Sequence, residues 1–335
     1  GYVPFSFDLT SYIKYGKDIL NLLRGQFAFG IYDSLEESFF LARDRVGIKP
    51  LYFSINKKNF IFSSELKAIE KSGIVTFTPD IDSYVAYLRH LCVPADKTGN
   101  KYISKVEPGQ YLKITNDGSI EKAKYWDPFS IEINNDMSEK DAVSKVEDLL
   151  IESVEYRQVS DVEVGLFLSG GLDSTLIGKL MNNNQNSVLK SFNIDYEEHF
   201  DGYKGEVNEA RFASSNIGIE LIEDKIQYED FKKIIDNYSF YQDDLIGDEV
   251  GIPLYFLGKS SKNNGIKVVQ VGEGADELFY GYEHWLRYMR LNRFIKPVLN
   301  KEIKSFSFKS HRVNLLSNIL LNRTSFAGGA LGFNI

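Results

Sequence analysis

At 335 residues, with 43% hydrophobic and 14% aromatic content, the chain can fill two cores, and its net charge of -8 is spread without the basic cluster that a nucleic-acid backbone requires. There is no run of about 18 apolar residues, and residues 1–8 lack the basic start and apolar core of a signal peptide, so no membrane partner and a cytoplasmic location are expected. The single cysteine, Cys92, excludes an internal disulfide framework and a cysteine-rich zinc site, and the histidines, His90, His199, His284 and His311, lack metal-ligand spacing.

In chain order, Leu9, Tyr12, Ile13, Ile19, Leu20 and Leu23 recur near helical period, and Gly25 offers a stop where positive φ is needed, which predicts one short helix over 9–23. The aromatic-rich runs 27–32, 38–42, 51–55 and 60–63 are separated by Asp33-Ser34, Gly47 and Asn56 and predict successive hairpins. Residues 106–111, with Pro108-Gly109, turn into a further strand, and Asn116-Asp117-Gly118 turns the next hairpin. Cys92, in the loop 90–95, is expected to be buried and inert. Ser138 with Asp141 then forms a capping pattern ahead of Val143, Val146, Leu150 and Val154 at helical spacing. A boundary is therefore expected near residue 130, between domains 1–127 and 128–335. Beyond it, the β-rich runs 162–168, 188–194 and 266–271 alternate with longer helical patterns. That alternation predicts an α/β domain with a parallel sheet, preceded by a mainly antiparallel β (α+β) domain. The asparagine-rich patch 182–186 reads as a loop.

Two segments carry chemistry. In the first, the apolar run Leu166-Phe167-Leu168 leads into Ser169-Gly170-Gly171-Leu172-Asp173-Ser174 and then into an apolar helix. Glycines let the main chain approach an anion, and a helix starting near Asp173 adds the positive end of its dipole, so a phosphate or pyrophosphate is the natural guest. A Walker loop would need a lysine, which is absent, and the hydroxyls of Ser169 and Ser174 can partly replace it. In the second, the strand-like 268–271 leads into Gly272-Glu273-Gly274-Ala275-Asp276-Glu277, with three carboxylates close together. Such acids repel one another unless a cation or donors sit among them, and magnesium, which takes one or two carboxylates plus substrate phosphates, suits that need.

The 169–174 segment resembles the pyrophosphate loop of the ATP pyrophosphatase superfamily. The 272–277 pattern narrows the resemblance to glutamine-hydrolysing asparagine synthetases and their relatives. Segments 24–33, 42–52 and 63–68 are similar to the distal part of that family's class II glutamine amidotransferase domain, of the N-terminal-nucleophile type. The resemblance implies a carbon–nitrogen ligase that adenylates aspartate's side-chain carboxylate with ATP and magnesium, for attack by ammonia derived from glutamine. It implies that Leu168, Ser169, Gly170, Gly171, Leu172, Asp173, Ser174, Ile194, Gly272 and Glu273 bind ATP, Leu168 and Ile194 through main-chain groups toward adenine. It further implies that Asp173 and Asp276 ligate magnesium, that Glu273 acts near the acyl-adenylate, and that Asp243 and Asp248 lie beside the acceptor.

This sequence departs from the family in several places. Leu245 stands where proline is usual, Val271 where serine is frequent, and Tyr280 where a small residue is usual. The N-terminal cysteine, the Gly-Ser-Asp glutamine motif and the expected catalytic lysine are not in the sequence, which is expected to be truncated at both ends. Relatives that amidate other carboxylates, such as uronic acids, or close a β-lactam ring share the ATP and magnesium site, as would a non-catalytic relative that only binds nucleotide. The expected partners are small molecules, ATP, aspartate or another carboxylate, and glutamine or ammonia, with a homodimer as a candidate assembly.

Overall fold

The computed structural model describes residues 9–56, 59–183, 188–196, 206–248, 250–283, 285, 286 and 290. These group into two compact units, one holding residues up to 159 together with 228–252, the other holding 160–227 and the residues from 253 onward. His199, His284 and His311 and most of the 182–186 patch lie outside the described residues.

In the first unit, helices α1 (Leu9–Tyr15) and α2 (Ile19–Leu22) take the place of the single helix expected over 9–23. A 3-10 turn at Gly16–Asp18, begun by Gly16 at φ +56°, separates them. Strands β1 (Ala28–Asp33), β2 (Ser38–Arg43), β3 (Tyr52–Ile55), β4 (Phe60–Ser63), β5 (Ser104–Lys105), β6 (Gln110–Thr115) and β7 (Ile120–Lys124) form two sheets. Their orders are β1-β2-β6-β7 and β4-β3-β5. The hairpins β1–β2, β3–β4 and β6–β7 match expectation, but β2 does not continue into a hairpin with β3. It pairs instead with β6, Leu41 opposite Leu112.

Side-chain alternation explains that choice. Phe40 and Ala42 of β2, with Tyr111 of β6 and Ile31 of β1, pack on Ile19, Leu20 and Leu23 at one face. Leu41 of β2, with Leu112 and Ile114, packs on Leu51 and Phe53 at the other. A period of two thus gives the central strands two apolar faces, one covered by helix and one by the second sheet. Helices α3 (Leu66–Lys71), α4 (Ile81–His90) and α5 (Glu139–Gln158) complete the unit's first stretch of chain. Ser138 caps α5 as its sequence pattern predicts, accepting from the Asp141 N–H at 3.2 Å.

In the second unit, β8 (Val164–Phe167), α6 (Leu172–Asn183) and β9 (Lys190–Tyr196) alternate as expected, and α7 (Val207–Ile217) leads to β10 (Glu220–Ile226), a strand beyond the three expected. Helices α8 (Tyr228–Ile235) and α9 (Tyr238–Tyr241), which belong to the first unit, come next along the chain, then α10 (Gly251–Asn263), β11 (Val268–Gln270) and α11 (Ala275–Phe279). The sheet order is β10-β9-β8-β11, and every pairing is parallel. The chain lays strands down to one side of β8 and then returns to place β11 on its other side. That is the switch point at which open α/β sheets hold ligands, outside the carboxyl ends of the strands.

Candidate active site

The chain passes from the end of β8 to the start of α6 in four residues, 168–171. Gly170 makes this possible. Its φ is +84°, and a side chain there would run into the backbone of α7 at the Glu209 carbonyl carbon and the Ala210 nitrogen. The serines curl the loop. The Gly171 N–H donates to Ser169 Oγ at 3.2 Å, the hydroxyls of Ser169 and Ser174 share a hydrogen bond at 3.0 Å, and Ser174 Oγ donates to the Gly171 carbonyl at 3.3 Å. The first N–H groups of α6, from Leu172, Asp173 and Ser174, have no acceptor within a helix's own first turn.

Leu168 is held tightly. Its N–H donates to the Phe192 carbonyl at 3.0 Å, and its carbonyl accepts from Asn193 Nδ2 at 2.8 Å, leaving that oxygen one lone pair. Asn193 is only 6% exposed. Ile194 stands opposite Asp224 of β10 and lies beyond Phe192, the last β9 residue in register with β8.

β11 runs beside β8 with Val268 opposite Val164 and Gln270 opposite Leu166. Both strands therefore release their loops at the same end of the sheet, as their positions after strands require. The two loops touch. A side chain at Gly272 would begin 3.1 Å from the Ser174 nitrogen and 3.3 Å from Asp173 Cβ, so glycine brings the acidic segment against the phosphate-type loop.

The carboxylates divide their surroundings. Asp173, in the first turn of α6, is half-buried, and Asp276, in the first turn of α11, places Oδ1 over Gly281, where any larger residue would collide with it. Glu277 accepts from the Tyr282 hydroxyl at 2.8 Å. That bond, then partial burial and the negative charges of Glu277, Asp276 and Glu273, pushes the Tyr282 phenol up to about 12. The cluster thus has a donor of the kind that the sequence reading allows as an alternative to a cation. Glu273 and Glu277 are exposed to water, and a tyrosine donor takes up Glu277. Among the described residues no three His, Cys, Asp or Glu side chains gather closely enough to hold an ion alone. Asp173 and Asp276 stand on two loops that leave one end of the sheet.

α11 ends at Tyr280, a left-handed residue with φ 57° and ψ 44°. The departure seen in the sequence therefore carries a backbone cost, since the position is one that glycine occupies without strain. The Tyr280 and Tyr282 rings lie 6.1 and 5.0 Å from the Trp285 ring.

Segment 243–248 belongs to the first unit. Asp243 pairs with Lys67, 3.4 Å away, and accepts from the Lys67 backbone N–H at 3.3 Å. Asp248 is exposed and accepts from the Val250 N–H at 3.0 Å within its own turn. Cys92 is exposed, contrary to expectation, because α4 ends in the left-handed Leu91 and the chain turns outward. Lys67, Asn193 and Tyr282 carry roles that no local pattern announces, since each acts through a partner set by the fold.

The family model for asparagine synthase matches residues 145–327, and that for a glutamine amidotransferase domain matches residues 8–126. The chain is similar to asparagine synthetase [glutamine-hydrolyzing] 1 of Bacillus subtilis, 34% identical over 85% of this chain and 44% of that protein. It is also similar to amidase chry2 of Gibberella zeae, 29% identical over 82% of this chain and 42% of that protein. Amidase chyE of Penicillium rubens is 30% identical, over 82% and 42%. The chain spans less than half the length of these relatives.

Proposed function

This chain belongs to the asparagine synthase family, and on that premise we propose that it is an ATP-dependent amidoligase whose first acceptor is aspartate. In this reading residues 1–127 are the distal part of a glutaminase domain and 128–335 the synthetase domain. The observation that carries it is the parallel pairing of β8 with β11, with Gly272 against Asp173.

The loop from Ser169 to Ser174 offers N–H groups and hydroxyls to the ATP phosphates, with Gly272 and Glu273 closing the other side. Leu168 and Ile194 line the adenine end. Asp173 and Asp276 would hold magnesium, which supplies positive charge to the departing pyrophosphate. An acceptor carboxylate oxygen attacks the α-phosphorus of ATP, the bond to the β-phosphate breaks, and the loop N–H groups stabilise the pyrophosphate released. Ammonia then adds to the acyl carbon, loses a proton and expels AMP, with Glu273 beside the reacting centre. Asp243 and Asp248 belong to the acceptor's neighbourhood.

A second reading keeps this chemistry on another carboxylate. The amidase-named relatives and Tyr280, at a position where a small residue is usual, favour it. Calorimetric titration with ATP, with and without magnesium, followed by pyrophosphate release with L-aspartate and ammonium chloride, tests both. Magnesium-dependent binding with aspartate-dependent release is expected. Binding without aspartate-dependent release moves the assignment to the second reading. Absence of magnesium-dependent binding overturns the ligase reading altogether.

A further inference from the structure

The ladder between β8 and β9 stops one rung short of where its geometry allows. In a parallel sheet the N–H and C=O of one strand residue face the same neighbour, and those of the next residue face the other. The Glu220 N–H donates to the Leu189 carbonyl at 2.9 Å, so the odd-numbered residues leading along β9 face β10. Phe192 faces β8, where its carbonyl accepts from the Leu168 N–H at 3.0 Å, and Ile194 faces the same way. The next rung would bring the Ile194 N–H to the Leu168 carbonyl. Asn193 Nδ2 takes that carbonyl instead, at 2.8 Å, and the described residues hold no bond between it and the Ile194 N–H.

The Asn193 amide can lie only one way round. A carbonyl accepts and never donates, so Nδ2 must face Leu168, which turns Oδ1 elsewhere. Asn193 is only 6% exposed, and its Oδ1 has no hydrogen-bond partner among the described residues. An enclosed amide with one oxygen unpaired is costlier than an apolar side chain of that size, so packing does not account for asparagine here. Its effect is to end the ladder. Among the described residues, the Ile194 N–H and carbonyl are left side by side without a strand to pair with. Ile194 is half-buried, whereas Leu168 is enclosed at 1% exposure, so the groups within reach of a ligand are those of Ile194. Leu168 leads directly into the loop from Ser169 to Ser174, and all of these residues belong to the second unit.

An N–H and a C=O offered by one residue suit a heterocycle edge that presents an acceptor beside a donor. Adenine presents that pair through its ring N1 and its exocyclic amine. Hypoxanthine and guanine present an N1–H beside a carbonyl, which sets donor against donor and acceptor against acceptor. We propose that Asn193 is a positioning residue that withholds the last ladder bond between β8 and β9, so that the Ile194 main chain selects an aminopurine over an oxopurine. The choice of a purine nucleotide rests on the ligase reading, and the role of Asn193 rests on the ladder.

The test titrates the purified 335-residue chain with ATP and with inosine triphosphate, each with magnesium, in the parent, Asn193→Val and Asn193→Ala. Loss of Nδ2 frees the Leu168 carbonyl for the Ile194 N–H. ATP affinity falls about tenfold, the worth of one buried hydrogen bond, while that for inosine triphosphate stays within about twofold because its phosphates meet the same loop. The parent's preference for ATP thus collapses in both variants, whereas a merely structural loss weakens both nucleotides alike. Hydrogen exchange supplies a reading that needs no nucleotide. In the parent the Ile194 amide exchanges fast beside a protected Phe192 amide, and in Asn193→Val it becomes protected. If the parent binds neither nucleotide, the ligase reading fails and takes base selection with it, and exchange still decides whether Asn193 ends the ladder. Equal weakening of both nucleotides, an ATP preference that survives in both variants, or an Ile194 amide already protected in the parent overturns the proposal.

Discussion

The antiparallel sheets of the first unit and the parallel sheet of the second use their residues differently. In β2 the residues Phe40, Leu41 and Ala42 are all buried, and the rings of Tyr12, Phe29 and Tyr111 gather 5.3 to 6.3 Å from that of Phe40. Side-chain volume decides identity there. In the second unit β8 and β11 are four and three residues long, and the loops they release are built of glycine, serine and carboxylate. Backbone reach and charge decide identity there, and Leu172, Leu278 and Phe279 stay exposed around the loops. One region devotes its sequence to packing, the other to an opening.

The contrast can be broken by crossing readouts. Phe40→Ala, which empties an almost fully enclosed site, should cost about 3 to 5 kcal/mol in chemical denaturation. A loss under about 1 kcal/mol would mean that the aromatic cluster does not set the fold. Asp173→Ala and Asp276→Ala should each weaken magnesium-dependent ATP binding by about 2 to 3 kcal/mol in calorimetry, with much smaller changes in unfolding. Cys92→Ala, at an exposed loop, should leave that affinity alone. Unchanged affinity in both aspartate variants would remove the metal assignment.

Tyr280→Gly sharpens the comparison from the other direction. Releasing the left-handed strain should raise stability by about 1 kcal/mol, a gain available where residues are not chosen for packing. A loss instead would show that the Tyr280 ring against Trp285 outweighs its backbone. The smallest effect concerns pH. The Tyr282 phenol is raised from its ordinary 10.0 to about 12, so the stability it contributes is present below pH 10 and lost as pH rises through 12. Tyrosinate absorbance, taken as the parent minus Tyr282→Phe, should show that late midpoint, and Glu277→Gln should bring it down. A midpoint near 10 in the parent would remove the Glu277 bond.

Much of this was legible locally. Gly118 at positive φ turns the β6–β7 hairpin that Asn116-Asp117-Gly118 predicts, Ser138 caps α5, and both glycine loops come directly after strands of one parallel sheet. The features that stayed hidden depend on distant partners. Nothing in periodicity says that β2 prefers β6 to β3, since both offer apolar alternation. β10, reading Glu-Leu-Ile-Glu-Asp-Lys-Ile, carries no apolar run that marks a strand, because an edge strand tolerates charge. The attachment of Asp243 to Lys67 joins residues far apart in sequence, and the exposure of Cys92 results from a left-handed turn at Leu91.

The placement of β11 beside β8 also sets a schedule for the growing chain. The serine and glycine loop is made before β9 and β10, which can add to one edge of β8 while its other edge waits for β11. Roughly a hundred residues separate the two loops, on the order of ten seconds of synthesis, and through that interval the nascent chain carries an unpaired strand edge next to half of the candidate site. A chain that ends before Val268 lacks the strand that pairs with this edge of β8.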